Sequence, residues 1–193
     1  MPLPDTIEPL RAPLEALQRL LESFDEQGVI IGGVAVGFLG QARLTADADA
    51  MILLTIDDLP NLLTQAKKEG LVPRIDNPEV FARRTRVVLL RHEQSGIDVD
   101  LSLGLLPFEI EMVERSQVHY EGSLRLRLPS PEDLIIMKAI AHRPKDMTDI
   151  EVIVAKQPKL DCKRIQFWVE QFAEVLETPE LWTDVARLLR KAK

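Results

Sequence analysis

Two aspartate pairs, each at the head of an apolar run, constrain this chain more than any other feature. The first is Asp47 and Asp49 in "DADAMILL", and the second is Asp98 and Asp100 in "DVDLSL". Residues i and i+2 of a strand point to the same face, so each pair presents both carboxylates together. Like charges about 4 Å apart repel by roughly 4 kcal/mol at an effective dielectric near 20. A chain tolerates that where a cation sits between them. A hard divalent ion such as Mg²⁺, held by one or two carboxylates plus a substrate phosphate, meets the need. Setting the second strand beside the first brings a third carboxylate to the same ion, as in metal-assisted phosphoryl-type displacement.

The elements around these pairs form a mixed α/β pattern. Ile7, Leu10, Leu14, Leu17, Leu21 and Phe24 recur at helical spacing, which predicts a helix over residues 5–27 with Asp5 or Thr6 as N-cap and Gly28 as its stop. "GVIIGG" reads as a buried strand ending in Gly32 and Gly33. "VAVGFLG" reads as a short helix, weakened by Gly37 and closed by Gly40. A helix that opens on two glycines exposes bare backbone N–H groups, which suits phosphate. "ADAMILL" is a strand and "DDLPNLLTQAKKEG" a helix ending at Gly70. "NPEVFARR" is a short helix with Asn77 as cap and Pro78 in its first turn. "TRVVLLRHEQSGIDVDLSL" reads as a hairpin turning at Ser95-Gly96. "PFEIEMVERS" follows as a helix, and "QVHYEGSLRLRL" as one or two short strands.

After Pro129 the pattern turns helical. "SPEDLIIMKAIAHR" opens with Ser130 as N-cap, Pro131 at the first position and Asp133 in the capping-box place. Three more helical stretches follow. The fold class expected is α/β (α+β): a mixed sheet flanked by helices over residues 1–128, with an all-helical region over residues 129–193 packed on it.

Composition narrows the function classes. With 193 residues, 46% hydrophobic and 28% charged, the chain can bury a substantial core. No apolar run reaches the roughly 20 residues of a membrane-spanning helix, and "MPLPDTIEPL" lacks a secretory pattern. Cytoplasmic location without membrane association is the expectation. A single cysteine, Cys162, excludes a disulfide framework and a cysteine-cluster metal site. The net charge of −7 argues against broad affinity for nucleic acid. Basic clusters nevertheless occur at Arg83, Arg84, Arg86 and Arg91, at Arg125 and Arg127, and at Arg143 and Lys145.

"IGGVAVGFLGQARLTADADAMILL" resembles the signature of the polymerase-beta-like nucleotidyltransferase superfamily: Gly-Gly, a short helix, an Arg-x-Thr-x-Asp-x-Asp segment and a strand. "IDVDLSLGLLPFE" resembles that superfamily's third-carboxylate strand. "SPEDLIIMKAIAHRPKDMTDIEVI" is similar to the Lys and Lys-Asp-x-x-Asp region of the AbiEii-type branch, the nucleotidyltransferase toxins of toxin–antitoxin systems. The resemblance implies a nucleotidyltransferase-type sheet and Mg²⁺-dependent transfer of an NMP from an NTP to a hydroxyl. Asp47 and Asp49 would hold Mg²⁺, and Asp100, or its neighbour Asp98, would complete the set. Gly32 and Gly33 would seat the triphosphate, while Arg43 and Thr45 braced the loop before the aspartates. Lys138 would reach a phosphate, with Asp146 or Asp149 orienting it or the substrate. The implied partners are an NTP, an acceptor that is RNA, protein or small molecule, and an antitoxin protein. Many relatives carry Ser after the first glycine, where this chain has Gly33.

Simpler roles exist for several of these residues. Lys138 follows three apolar residues and can snorkel at a helix edge. Asp146 and Asp149 suit a helix start. Trp168, Phe172 and Trp182 fall at core spacings, and no second histidine stands at metal spacing from His142. "GGVAVG" lacks the pattern of a dinucleotide fingerprint, and no Gly-Lys-Ser/Thr follows it. The competing reading is a catalytically inactive module on the same fold that binds nucleotide or a partner protein.

Overall fold

A computed structural model describes residues 8–41 and 44–191. The chain divides into two compact units, residues 8–34 with 44–129 and residues 35–41 with 130–191. The first unit holds a five-stranded mixed sheet. Its strands are β1 (Gly28–Ile30), β2 (Asp47–Ile52), β3 (Leu71–Pro73), β4 (Val87–His92) and β5 (Asp98–Leu103), in the order β1-β2-β5-β4-β3. β2 and β5 run parallel, and every other neighbouring pair is antiparallel.

Alternation along the central strands decides which face is core. Ala48, Ala50, Val99, Leu101, Val88 and Leu90 are fully buried, whereas the aspartates between them stay half-buried or exposed. Helices α1 (Arg11–Glu22) and α3 (Leu59–Lys68) pack on this unit's strands. α1 contributes Leu14, Leu17, Leu20 and Leu21, all at zero exposure, and each such burial stabilises by about 1.5–3 kcal/mol. A second sheet, β6 (Gln117–Glu121) with β7 (Leu124–Leu128), is an antiparallel hairpin. β7 is tied back by Arg125 to Glu22, at 2.6 Å, and by Arg127 to Glu26, at 2.5 Å. The short helices α4 (Pro78–Thr85) and α5 (Pro107–Glu114) complete the unit.

Several boundaries differ from the sequence reading. The first helix stops at Glu22 rather than at Gly28, because Asp25 and Glu26 adopt left-handed backbone and turn the chain. Gly28 instead opens β1, where an added Cβ would lie 2.7 Å from the Met51 carbonyl oxygen and 2.6 Å from a Leu21 methyl. The proposed caps Asp5 and Thr6 lie outside the described residues. Asn77 stands at the start of α4 in left-handed conformation and makes no side-chain cap bond. The edge strand β3 has no counterpart in the sequence reading. Three residues, one of them proline, offer too short a run for alternation to register.

Helix α2 (Gly32–Leu39) begins in the first unit and ends in the second. The second unit otherwise consists of α6 (Pro131–Ala141), α7 (Pro144–Lys156), α8 (Cys162–Val175) and α9 (Glu180–Lys191). Ser130 caps α6 by accepting from the Asp133 N–H at 3.2 Å, as its position before Pro131 predicts. Ile135, Ile136, Ile150, Ile153, Ile165, Val169 and Val185 form the core of this bundle, all at zero exposure.

Candidate active site

The parallel register of β2 and β5 sets Asp47 beside Asp98 and Asp49 beside Asp100. Adjacent strands lie about 4.8 Å apart, so four carboxylates occupy two rows on one face of the sheet. They cannot turn inward, because the intervening residues Ala48, Ala50, Val99 and Leu101 fill the core side. Thr45 donates its hydroxyl to Asp47 Oδ1 at 3.0 Å, which fixes the first carboxylate from the incoming loop. Arg43 lies outside the described residues.

Gly32 stands over this face. Its φ is +64°, and an added Cβ would lie 2.7 Å from Asp49 Cγ and 2.8 Å from Asp49 Cβ. Only glycine tolerates both the left-handed backbone and that approach. The Ile31 N–H donates to the Asp49 carbonyl at 2.8 Å, holding the strand-to-helix turn against β2. The first turn of α2, carrying Gly32 and Gly33, therefore opens beside Asp49.

Among the described residues, two arginines answer the carboxylates, and the sequence reading missed one of them. Arg74 follows β3, its N–H donating to the Leu89 carbonyl at 3.1 Å. Its guanidinium donates to Asp100 Oδ1 at 2.5 Å and comes within 3.8 Å of Asp98 Oδ2. The Asp100 hydrogen bond, with the charges of Asp98 and Asp47 behind it, raises the Arg74 pKa further despite opposing desolvation. Arg91 donates to Asp98 Oδ1 at 2.8 Å, and this bond holds the Asp98 carboxyl below its ordinary value. Arg91 is the cross-strand neighbour of Asp98 on β4, whereas the neighbour of Asp100 is Leu89. The counter-ion of Asp98 is therefore built into the sheet, and that of Asp100 comes from the end of an edge strand.

Among the described residues, no three His, Cys, Asp or Glu side chains are grouped so that they could hold a metal ion by themselves. The donor set fits a hard cation in kind, being all carboxylate oxygen. Its layout suits an ion that arrives with other ligands, since Arg74 and Arg91 already engage two of the four aspartates.

Lys138, Asp146 and Asp149 come together in the second unit. Lys138 Nζ donates to Asp146 Oδ1 at 3.1 Å and lies 2.9 Å from Asp149 Oδ2. The three side chains are 8%, 0% and 3% exposed. Burial works to raise the Asp146 pKa, but hydrogen bonds from Arg143 and Lys138 outweigh it and leave the carboxyl below its ordinary value. Elsewhere in this unit His142 Nε2 pairs with Asp184 at 3.1 Å. Trp168, Phe172 and Trp182 are half-buried.

The basic clusters of the sequence prove to be largely committed. Arg86 donates to the Leu103 and Leu54 carbonyls, Arg91 engages Asp98, and Arg125 and Arg127 bind Glu22 and Glu26.

The family model for DUF6036, nucleotidyltransferases of unknown function, matches residues 9–177 of this chain. Among solved structures, an antigenic nucleotidyltransferase-like protein from Paracoccidioides brasiliensis is 18% identical with a TM-score of 0.56, over 94% of each chain. The antibiotic-resistance factor ANT(2'')-Ia is 14% identical with a TM-score of 0.55, over 87% of this chain and 95% of that one. At those identities the likeness is one of fold. A search of curated proteins finds no match.

Proposed function

The chain belongs to the DUF6036 nucleotidyltransferase family, and from that premise we propose that it transfers an NMP from an NTP to a hydroxyl acceptor on the aspartate face of β2 and β5. The observation that carries the reading is the parallel register pairing Asp47 with Asp98 and Asp49 with Asp100, with Gly32 against Asp49. In this reading Asp47 and Asp49 hold Mg²⁺ together with the triphosphate. The ion, when bound, neutralises charge developing on the phosphate oxygens. The first turn of α2, at Gly32 and Gly33, offers backbone N–H groups to the phosphates.

The acceptor hydroxyl oxygen bonds to the α-phosphorus as the bond from that phosphorus to the bridging oxygen breaks, and pyrophosphate leaves with those electrons. In this reading Asp100 takes the hydroxyl proton. We favour it over Asp98 because it is the register neighbour of Asp49, against which Gly32 stands, whereas Asp98 lies beside Asp47 at the strand start. Lys138 uses two of its three donors on buried carboxylates. We therefore assign Lys138, Asp146 and Asp149 to supporting the helical unit rather than to phosphate contact.

The acceptor is a hydroxyl of a small molecule, a protein or an RNA. Internal commitment of Arg86, Arg91, Arg125 and Arg127 and the net charge of −7 favour the first two over RNA. The toxin–antitoxin role rests on the motif "HRPKDMTD", and a neighbouring reading frame encoding a small DNA-binding protein would support it. A second reading, binding without turnover, draws on the arginines that already engage Asp98 and Asp100. The test is incorporation of label from each α-labelled NTP, with Mg²⁺, into total RNA, lysate proteins and lysate small molecules. Label that disappears in Asp47→Ala and Asp49→Ala supports transfer and names the acceptor class. Saturable NTP binding without consumption, indifferent to Asp49→Ala, supports the second reading.

A further inference from the structure

We infer that Arg74 is a positioning residue of this site: it holds Asp100 in the absence of a divalent ion and yields it to that ion when nucleotide arrives. The inference rests on the reading of the aspartate face given above. Asp98 and Asp100 occupy the same face of β5 but are countered differently. Asp98 has a fixed cross-strand cation in Arg91, whereas Asp100 lies opposite Leu89 and takes its hydrogen bond from Arg74, beyond the last residue of β3. The guanidinium also donates to the Leu90 carbonyl at 3.2 Å, so it has an anchor independent of the carboxylates. Its side chain is 19% exposed and that of Asp100 35%, so both can exchange partners without unfolding the sheet.

Charge explains why nucleotide is needed. A divalent ion arriving alone must compete with a resident cation for Asp100. An ion that comes with a triphosphate brings the displaced guanidinium an anion to bind, and the planar fork of arginine matches phosphate oxygens. The arginine then passes from carboxylate to phosphate, and Asp100 becomes available at the moment when substrate is present.

The probe is Mn²⁺, followed by the electron paramagnetic resonance signal of the free ion, on the full chain without nucleotide. Arg74→Ala is expected to bind Mn²⁺ about tenfold more tightly than wild type, equivalent to about 1.4 kcal/mol. A non-hydrolysable NTP analogue is expected to tighten Mn²⁺ binding strongly in wild type and much less in Arg74→Ala. A merely structural arginine would leave Mn²⁺ affinity unchanged or weaken it. That result, with Asp49→Asn still abolishing Mn²⁺ binding, would overturn the exchange and leave the proposed function standing. Wild type that takes up no Mn²⁺ with or without the analogue would overturn both. Should Arg74→Ala lose its cooperative melt, Arg74→Lys carries the measurement, because a lysine keeps the charge but not the fork. Tightening of about threefold is expected there, and wild-type affinity would count against the exchange.

Discussion

The molecule holds two clusters built from the same parts, aspartates with basic side chains among them, and they behave as opposites. On the sheet of the first unit, Asp98 and Asp100 are 39% and 35% exposed, and Arg74 reaches them from the end of an edge strand. In the helical unit, Asp146 and Asp149 are 0% and 3% exposed, and Lys138 lies 8% exposed between them. Burial makes the difference. A buried pair that loses one partner leaves an uncompensated charge, so the cluster is fixed in one arrangement. A half-exposed pair can trade a counter-ion for water, metal or phosphate at modest expense. Composition alone assigns neither cluster its role.

Substitutions that remove one charge from each cluster test this contrast most strongly. Lys138→Met is expected to lower stability by about 3–5 kcal/mol, read as a shifted denaturant midpoint. An unchanged midpoint with lost nucleotide binding would return Lys138 to the phosphate. Asp49→Asn should do the reverse. Label transfer is expected to fall by on the order of 10²–10³-fold, with the melting temperature held or raised because like-charge repulsion is relieved. A large drop in melting temperature would mean that the carboxylate face is structural after all.

Gly32→Ala tests the join between β1 and α2. The left-handed backbone alone costs about 1–3 kcal/mol, and the collision with Asp49 displaces the carboxylate as well. Both stability and transfer are therefore expected to fall. A variant with wild-type transfer would remove Gly32 from the site.

Acid weakens the buried cluster. Asp146 sits below its ordinary value when folded, so its contribution is complete above about pH 4. It is lost as pH falls through the lower folded-state value. Glu26 shifts the same way, through its hydrogen bonds from Arg127 and Arg125. Urea melts taken downward from pH 5 are expected to show falling stability, and Asp146→Asn should show a shallower decline. A slope that Asp146→Asn leaves intact would locate the acid sensitivity elsewhere. The smallest effect expected is that of Arg91→Ala, at most about 1 kcal/mol for a largely exposed pair. A larger loss would mean that the Arg91–Asp98 pair is stronger than its exposure implies.

Much of this was written in the chain itself. Alternation in "DADAMI" and "DVDLSL" puts each aspartate pair on one face whatever the rest of the fold does, because a strand repeats every two residues. Ser130 before Pro131 sets the start of α6 by the same local logic, and the paired glycines mark the strand-to-helix turn. The left-handed turn at Asp25 and Glu26 was not legible, since neither residue type demands that backbone, and neither was the three-residue β3.

What only the tertiary structure decided are the relations between distant segments. The parallel register that sets Asp49 beside Asp100 joins residues separated by two helices and two strands. Arg74 meets Asp100 across 26 positions, and nothing local distinguishes it from the other arginines. The sequence determines which side chains share a face, because that follows from backbone periodicity. Which cation answers which carboxylate, and how deeply, depends on packing between remote elements, and burial then sets whether the pair is a fixture or a site.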